Sequence, residues 1–201
     1  AFGAPMILEI ARFWASIARY NPAVDRYEIL GVMGPDEYHD GYPGAPHPGL
    51  DNNAYTNVMA AWVLCRALEL IERLPEPRRS ELRDQLSLDG DELARWDDVS
   101  RKLRVVFHHD GVISQFEGYE ELEELDWAGY RSRYGDIRRL DRLLESEGDS
   151  PNRYKASKQA DVLMLFYLLS AEELRAILDR LGYSFPPELI PRTIDYYLQR
   201  T

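Results

Sequence analysis

The 201-residue sequence predicts an all-α fold built of successive helical hairpins. In several separate segments apolar residues recur every three or four positions, which is the spacing of one face of a helix. Clusters of Pro and Gly divide these segments, and runs that alternate like strands are short. No strict internal repeat is visible. Since each hairpin needs neighbours to bury its second face, a helical toroid or an α-solenoid fits better than a compact four-helix bundle.

The first half of the chain contains most of the long helical patterns. Pro5 suits the first turn of a helix over residues 6–19, and Asn21-Pro22 ends it. Residues 27–33 predict one short strand or an extended passage, and a loop rich in Pro and Gly occupies residues 34–49. Further helices are predicted over residues 54–74, with Asp51 as the N-cap, and over residues 78–86 and 90–102.

The second half is more irregular. Asp110-Gly111 is a turn signal, and the apolar flanks at 105–107 and 112–116 predict a small β-hairpin. The acidic run 117–124 is typical of a solvated face. Ser170 and Glu173 form a capping box for a helix that Gly182 ends. The other helices are predicted over residues 137–144, over the buried stretch 162–169 and from about residue 191 to the end.

Composition excludes several classes of function. The chain has 24 Lys and Arg against 35 Asp and Glu, a formal charge of -11, which repels nucleic-acid phosphates and anionic lipid head groups. Its longest apolar stretch, 162–169, is far too short to span a bilayer. The single cysteine, Cys65, excludes an internal disulfide and fits a reducing compartment. We therefore expect a cytoplasmic protein that binds neither nucleic acid nor membrane.

The strongest candidate site is the turn Gly34-Pro35-Asp36-Glu37-Tyr38-His39, where ionisable and hydroxyl side chains follow an apolar run. The loop leads to Asn52 and Asn53, whose amides lie near a predicted helix N-terminus and could hydrogen-bond a polyol. The alternative interpretation is a polar loop with an N-cap.

A second candidate opens the apolar helix at 162–169. Lys158, Gln159 and Asp161 need partners there, and a sugar offers donors and acceptors to each; a structural salt bridge is the alternative. The aromatic stretch 115–119 could line a sugar subsite or belong to the core.

Metal and nucleophile chemistry find no support in the sequence. The four histidines show no ligand spacing, Cys65 lies on the apolar stripe of a helix, and no GxSxG, Walker A or GxGxxG motif occurs. We expect no metal site.

Three motifs in this order carry a resemblance: Gly34-Pro35-Asp36-Glu37-Tyr38-His39, then Asp51-Asn52-Asn53-Ala54-Tyr55-Thr56-Asn57, then Lys158-Gln159-Ala160-Asp161. Together they resemble glycoside hydrolase family 65, the maltose, trehalose and kojibiose phosphorylases and their hydrolytic relatives. The resemblance implies that residues 1–201 are part of a single (α/α)6 catalytic barrel. It also implies that the family's N-terminal β-sandwich, C-terminal domain and phosphate-binding loop lie outside this chain.

The same resemblance implies roles for particular residues. Glu37 is expected to be the general acid, and Lys158 and Gln159 are expected to contact the sugar. Asn52, Asn53, Tyr38 and His39 complete the set of substrate-binding candidates.

The implied function is inverting phosphorolysis of an α-glucosidic disaccharide of the trehalose, maltose or kojibiose type, with inorganic phosphate as co-substrate and no cofactor. We expect the pKa of Glu37 to be raised by partial burial, and Asp36 to order the loop. The full-length protein is expected to be a homo-oligomer, and this chain alone to be inactive. Two alternatives stay open: an inverting α-glucoside hydrolase, or a helical module that binds a carbohydrate or a protein without catalysis.

Overall fold

A computed structural model describes residues 3–201, and α-helices dominate it. The described residues form nine α-helices, one two-stranded hairpin and two short 3-10 turns. The all-α prediction is confirmed. The elements are α1 Gly3–Ile17, β1 Arg19–Asn21, β2 Arg26–Glu28, α2 Ala54–Arg73, α3 Glu76–Leu86, α4 Gly90–Lys102, α5 Trp127–Tyr134, α6 Leu140–Ser146, α7 Asp161–Leu168, α8 Ala171–Arg180 and α9 Leu189–Leu198.

The chain divides into two compact units, each assembled from separate stretches of sequence. The first comprises Ala1–Ile29, Thr56–Val105 and Leu169–Phe185, and the second comprises Leu30–Tyr55, Val106–Leu168 and Pro186–Thr201. The first unit is mainly long helices, whereas the second contains the Pro- and Gly-rich loop and the short helices α5, α6, α7 and α9. Every candidate site residue lies in the second unit.

Helix boundaries in the first unit follow the capping signals of the sequence. Helix α4 begins after Asp89, whose carboxylate accepts a hydrogen bond from the Glu92 N–H at 2.8 Å, and its bounds match the prediction. Helix α8 begins after Ser170, whose hydroxyl accepts from the Glu173 N–H at 3.1 Å. The Glu173 carboxylate accepts from the Trp62 indole N–H at 2.7 Å.

Short extended segments differ from the predictions. The first helix ends at Ile17, two residues before the predicted end at residue 19. Strand β1 follows and pairs with β2 in an antiparallel hairpin, whereas the sequence predicted only one strand, from residue 27. In the second unit, the predicted hairpin at 105–116 reduces to one bridge between Phe107 and Ile113, with a His108 N–H bond to the Val112 carbonyl at 2.8 Å. Helix α5 was not predicted.

The second unit has an aromatic core. Phe116 and Tyr119 are almost fully buried, which confirms the core interpretation of the aromatic stretch. The Tyr197 hydroxyl, also buried, donates to the Ile113 carbonyl at 2.7 Å. In the acidic run, Leu122 is buried while Glu121, Glu123 and Glu124 are exposed, so the solvated-face prediction is confirmed for these three residues; Glu117 and Glu120 are partly buried.

No helix within residues 3–201 is both long enough and apolar enough to cross a membrane.

Candidate active site

Asp36 fixes the loop at residues 34–39 through hydrogen bonds to its buried carboxylate. Its buried carboxylate accepts hydrogen bonds from the backbone N–H groups of Tyr38 at 3.3 Å and Lys158 at 2.9 Å. It also accepts from the Gln115 side-chain amide at 3.0 Å and lies 3.3 Å from His39 Nδ1. The prediction that Asp36 orders the loop is therefore confirmed.

Asp161, the first residue of α7, is a second buried carboxylate. It accepts from the backbone N–H of Asp36 at 2.5 Å and from the Asn53 amide at 2.7 Å, and its own N–H donates to Gln115 Oε1 at 3.1 Å. Burial raises the pKa of Asp161 to about 6. We call Asp36, Asn53, Gln115 and Asp161 the buried frame.

Because Gly34 has no side chain, the loop can approach the buried frame closely. A Cβ atom at this position would lie 1.7 Å from Asp161 Oδ2 and 2.6 Å from Asn53 Nδ2. Both distances are far below van der Waals contact, so only glycine fits here without moving the frame.

Glu37 and Lys158 lie on the solvent side of the same loop. Glu37 Oε2 is 2.5 Å from Lys158 Nζ, and the side chains are 62% and 36% exposed. We call these two residues the exposed pair. The hydrogen bond from Lys158 lowers the pKa of Glu37, with a smaller contribution from Gln159. The expectation of a pKa raised by partial burial is therefore wrong for this structure, because Glu37 is exposed and paired with a cation.

Gln159 joins the exposed pair to the loop. Its side-chain amide donates to the Pro35 carbonyl at 2.9 Å. The structure thus brings Lys158 and Gln159 beside Glu37, which precedes them by more than 120 residues in the sequence.

Tyr38 and His39 point into the protein. Tyr38 packs in a cluster with Leu140 and Leu144, and burial raises the pKa of its hydroxyl. His39 Nε2 lies 3.0 Å from the Tyr154 carbonyl oxygen.

Asn52 and Asn53 are fully buried as well. Asn52 adopts a positive φ of 52°, a conformation that Asn tolerates, and its amide donates to Glu117 Oε2 at 2.8 Å. In this structure the side chains of Tyr38, His39, Asn52 and Asn53 contact protein groups, and binding of sugar by them stays a prediction.

A cavity of about 420 Å³ borders Lys158. Most of the residues that line this cavity were not predicted from the sequence, and neither was the place of Gln115 in the buried frame. A polar amide beside buried aromatics needs partners, and that signal could have identified Gln115. The polar and aromatic residues that line the cavity include Tyr38, Trp127, Arg131, Arg138, Ser157 and Lys158.

Across residues 3–201, no group of three or more His, Cys, Asp or Glu side chains is placed to hold a metal ion.

A carboxyl group on a fixed loop, with an ammonium and an amide beside it and an aromatic-lined cavity nearby, offers what a carbohydrate-active enzyme uses: an acid, and donors for hydroxyl oxygens. Residues 1–201 match the family model described as the glycosyl hydrolase family 65 central catalytic domain. The chain therefore belongs to glycosyl hydrolase family 65, as the motifs indicated.

Similar proteins agree with this assignment. A glycosyl hydrolase of Mycobacterium tuberculosis is 60% identical over 199 residues, which are 99% of this chain and 15% of that relative. The trehalose 6-phosphate phosphorylase of Lactococcus lactis is 40% identical over 199 residues, 99% of this chain and 24% of the relative. The kojibiose phosphorylase of Halothermothrix orenii is 34% identical over 204 residues, 100% of this chain and 23% of the relative. The chain thus spans between 15% and 24% of the length of these relatives.

A solved structure assigned as a kojibiose phosphorylase from the human microbiome has a TM-score of 0.73 at 24% identity, covering 99% of this chain and 24% of that one. This similarity confirms the predicted fold class, part of an (α/α)6 barrel.

Proposed function

We propose that the full-length protein carrying this chain cleaves an α-glucosidic disaccharide by inverting phosphorolysis, with Glu37 as the general acid. The observation that supports this most directly is the exposed Glu37 carboxyl, 2.5 Å from Lys158 on a loop that the buried frame fixes. Relatives named as trehalose 6-phosphate and kojibiose phosphorylases support the reaction class. Candidate substrates are disaccharides of the trehalose, maltose or kojibiose type, with or without a phosphate ester.

The two buried carboxylates beside the loop are poor candidates for the base that a hydrolase needs. An inverting hydrolase needs a second carboxylate as a base that activates water, whereas phosphate arrives as an anion and needs only binding groups. Asp36 and Asp161 are buried and accept hydrogen bonds from protein N–H groups. Neither is available to a water at the sugar, so the frame supplies order and Glu37 supplies the proton.

Lys158 links substrate binding to the protonation of Glu37. A general acid must hold a proton before it can donate one, yet the bond from Lys158 favours the carboxylate form. Sugar hydroxyl oxygens accept hydrogen bonds, so a bound sugar competes with Glu37 for the Lys158 ammonium. Loss of this bond, together with exclusion of water by the sugar, raises the pKa of Glu37 toward the value that an acid needs.

Gln159 has a complementary part in the proposal. Its N–H group is bonded to the Pro35 carbonyl, which orients the amide and leaves its oxygen to accept from a sugar hydroxyl. The buried side chains of Tyr38, His39, Asn52 and Asn53 then act by positioning the loop.

The proposal requires inorganic phosphate and no cofactor. We further propose a cytoplasmic location, on the strength of the single cysteine alone. A homo-oligomeric full-length protein, and the location of its other domains outside this chain, stay predictions.

The decisive experiment is Glu37→Gln in the full-length protein, with phosphate consumption measured on trehalose, trehalose 6-phosphate, maltose and kojibiose. We expect kcat to fall by about 10²- to 10⁴-fold, the usual contribution of a general acid. Glu145→Gln is a matched control, since Glu145 is exposed and lies on α6. Activity that survives Glu37→Gln rules out the assignment.

The wild-type assay also separates the alternatives. Release of glucose without consumption of phosphate would identify a hydrolase. Binding of sugar without turnover of any of the four substrates would favour a non-catalytic module.

A further inference from the structure

The cavity beside Lys158 is cationic in an acidic chain. Residues 131–142 include five Arg and two Asp, although the whole chain has a charge of -11. Three cations, Arg131, Arg138 and Lys158, line the cavity, and no Asp or Glu side chain does. Its lining also contains the rings of Tyr38 and Trp127.

The three cations differ in how they are paired. Lys158 is 2.5 Å from Glu37, and Arg138 is 2.5 Å from Asp136. Among residues 3–201, Arg131 forms no ion pair; its guanidinium lies 5.5 Å from the centre of the Trp127 ring. The indole Nε1 of Trp127 is buried and has no hydrogen-bond partner in the described part of the chain. The cavity thus contains one cation, Arg131, with unused donor capacity.

We propose that this cavity binds the phosphate group of a phosphorylated sugar, with Arg131 as its main ligand. A phosphate monoester offers only acceptor oxygens, and the guanidinium fork matches two of them at once. The Trp127 ring offers an apolar face for the sugar, and about 420 Å³ lies within the usual size of small-molecule sites.

Lys158 connects this cavity to the proposed acid, because the same side chain lines the cavity and pairs with Glu37. A phosphorylated sugar held by Arg131 would therefore lie beside the group that donates the proton. The inference rests on the proposed function only in taking a sugar as the substrate, and it names a phosphate ester as the feature that the site selects.

The test is equilibrium binding of glucose 6-phosphate and of glucose to the full-length protein, measured by calorimetry. We expect wild type to bind glucose 6-phosphate at least 10-fold more tightly than glucose, as charge-assisted hydrogen bonds to a phosphate require. Arg131→Gln should remove this preference, and Arg131→Lys should retain part of it. Arg142→Gln is the matched control: Arg142 is an exposed arginine on α6 that does not line the cavity, so the preference should persist.

A third titration, with inorganic phosphate in the presence of glucose, separates a sugar-borne phosphate from the free co-substrate. We expect Arg131→Gln to leave this binding unchanged. Equal affinity of wild type for glucose and glucose 6-phosphate overturns the inference, as does a preference that survives Arg131→Gln, or a loss confined to inorganic phosphate. Since glucose 6-phosphate has no glycosidic bond to cleave, this result is independent of Glu37→Gln, and either proposal can fail alone.

Discussion

The buried frame and the exposed pair each include a carboxylate of the same loop, Asp36 in the frame and Glu37 in the pair, and these two adjacent residues lie in opposite environments. Asp36 is buried and accepts hydrogen bonds from three donors, whereas its neighbour Glu37 is exposed and pairs with one flexible lysine. Breaking a buried charged network costs about 3–5 kcal/mol, while a surface ion pair contributes about 0–1 kcal/mol. The frame therefore fixes geometry, and the pair stays free to exchange partners with a substrate.

The largest effect should come from filling the space between the loop and the frame. In Gly34→Ala the new methyl group displaces the Asp161 carboxylate, and the donors on Asp36 and Asn53 lose their acceptor. Each buried unpaired donor costs about 1–3 kcal/mol, so we expect a loss of about 4 kcal/mol. The melting temperature of the full-length protein reports this loss.

Gly90→Ala is the matched control, because nothing lies within 4 Å of a Cβ at the start of α4. A melting temperature unchanged by Gly34→Ala would show that the frame contributes no stability.

The next effect concerns pH. The folded-state pKa of Asp161, about 6, exceeds its ordinary value of 3.8, so the folded protein binds this proton more tightly than the unfolded chain. Its contribution to stability is complete below pH 3.8 and is lost as the pH rises through 6, with a full span on the order of 3 kcal/mol. Thermal unfolding from pH 4 to 8 should therefore show falling stability in wild type and a flatter profile in Asp161→Asn. Parallel profiles would contradict the raised pKa.

The smallest effect on stability, and the most specific effect on chemistry, should come from Lys158→Met. Loss of an exposed ion pair should leave the melting temperature almost unchanged, because solvent screens the two charges. The pKa of Glu37, which Lys158 lowers, should rise, so the alkaline limb of the kcat/KM profile should move to higher pH. An unmoved limb would show that Glu37 is not the group that titrates, and a large loss of stability would remove the distinction between pair and frame.

The sequence predicted best where local signals determine the structure. Asp89 and Ser170 are good N-cap residues followed by apolar stripes, and both helices form as expected. Helix α5 was missed because it is only 8 residues long, contains Gly129 and has no fully buried residue. Strand β1 was missed because three residues held by a neighbouring segment leave no periodic pattern.

The proximity of the motif residues was predictable from the sequence, and their environment was much less so. Motifs identified Glu37, Lys158 and Gln159, and the structure brings them together. Burial of Asn52 and exposure of Glu37 depend on contacts between distant segments, and no local pattern encodes them. For this reason the predicted direction of the Glu37 pKa shift was wrong.

The hydrogen bond from the Asp36 N–H to Asp161 also has a consequence during synthesis. The two residues are 125 positions apart, so the loop lacks its main acceptor while the intervening chain is made. At about 5–20 residues per second, the loop at residues 34–39 emerges roughly 6–25 s before the segment that shapes it. The loop therefore acquires its native form late, and the nascent chain is exposed to proteases and chaperones with this loop still unformed.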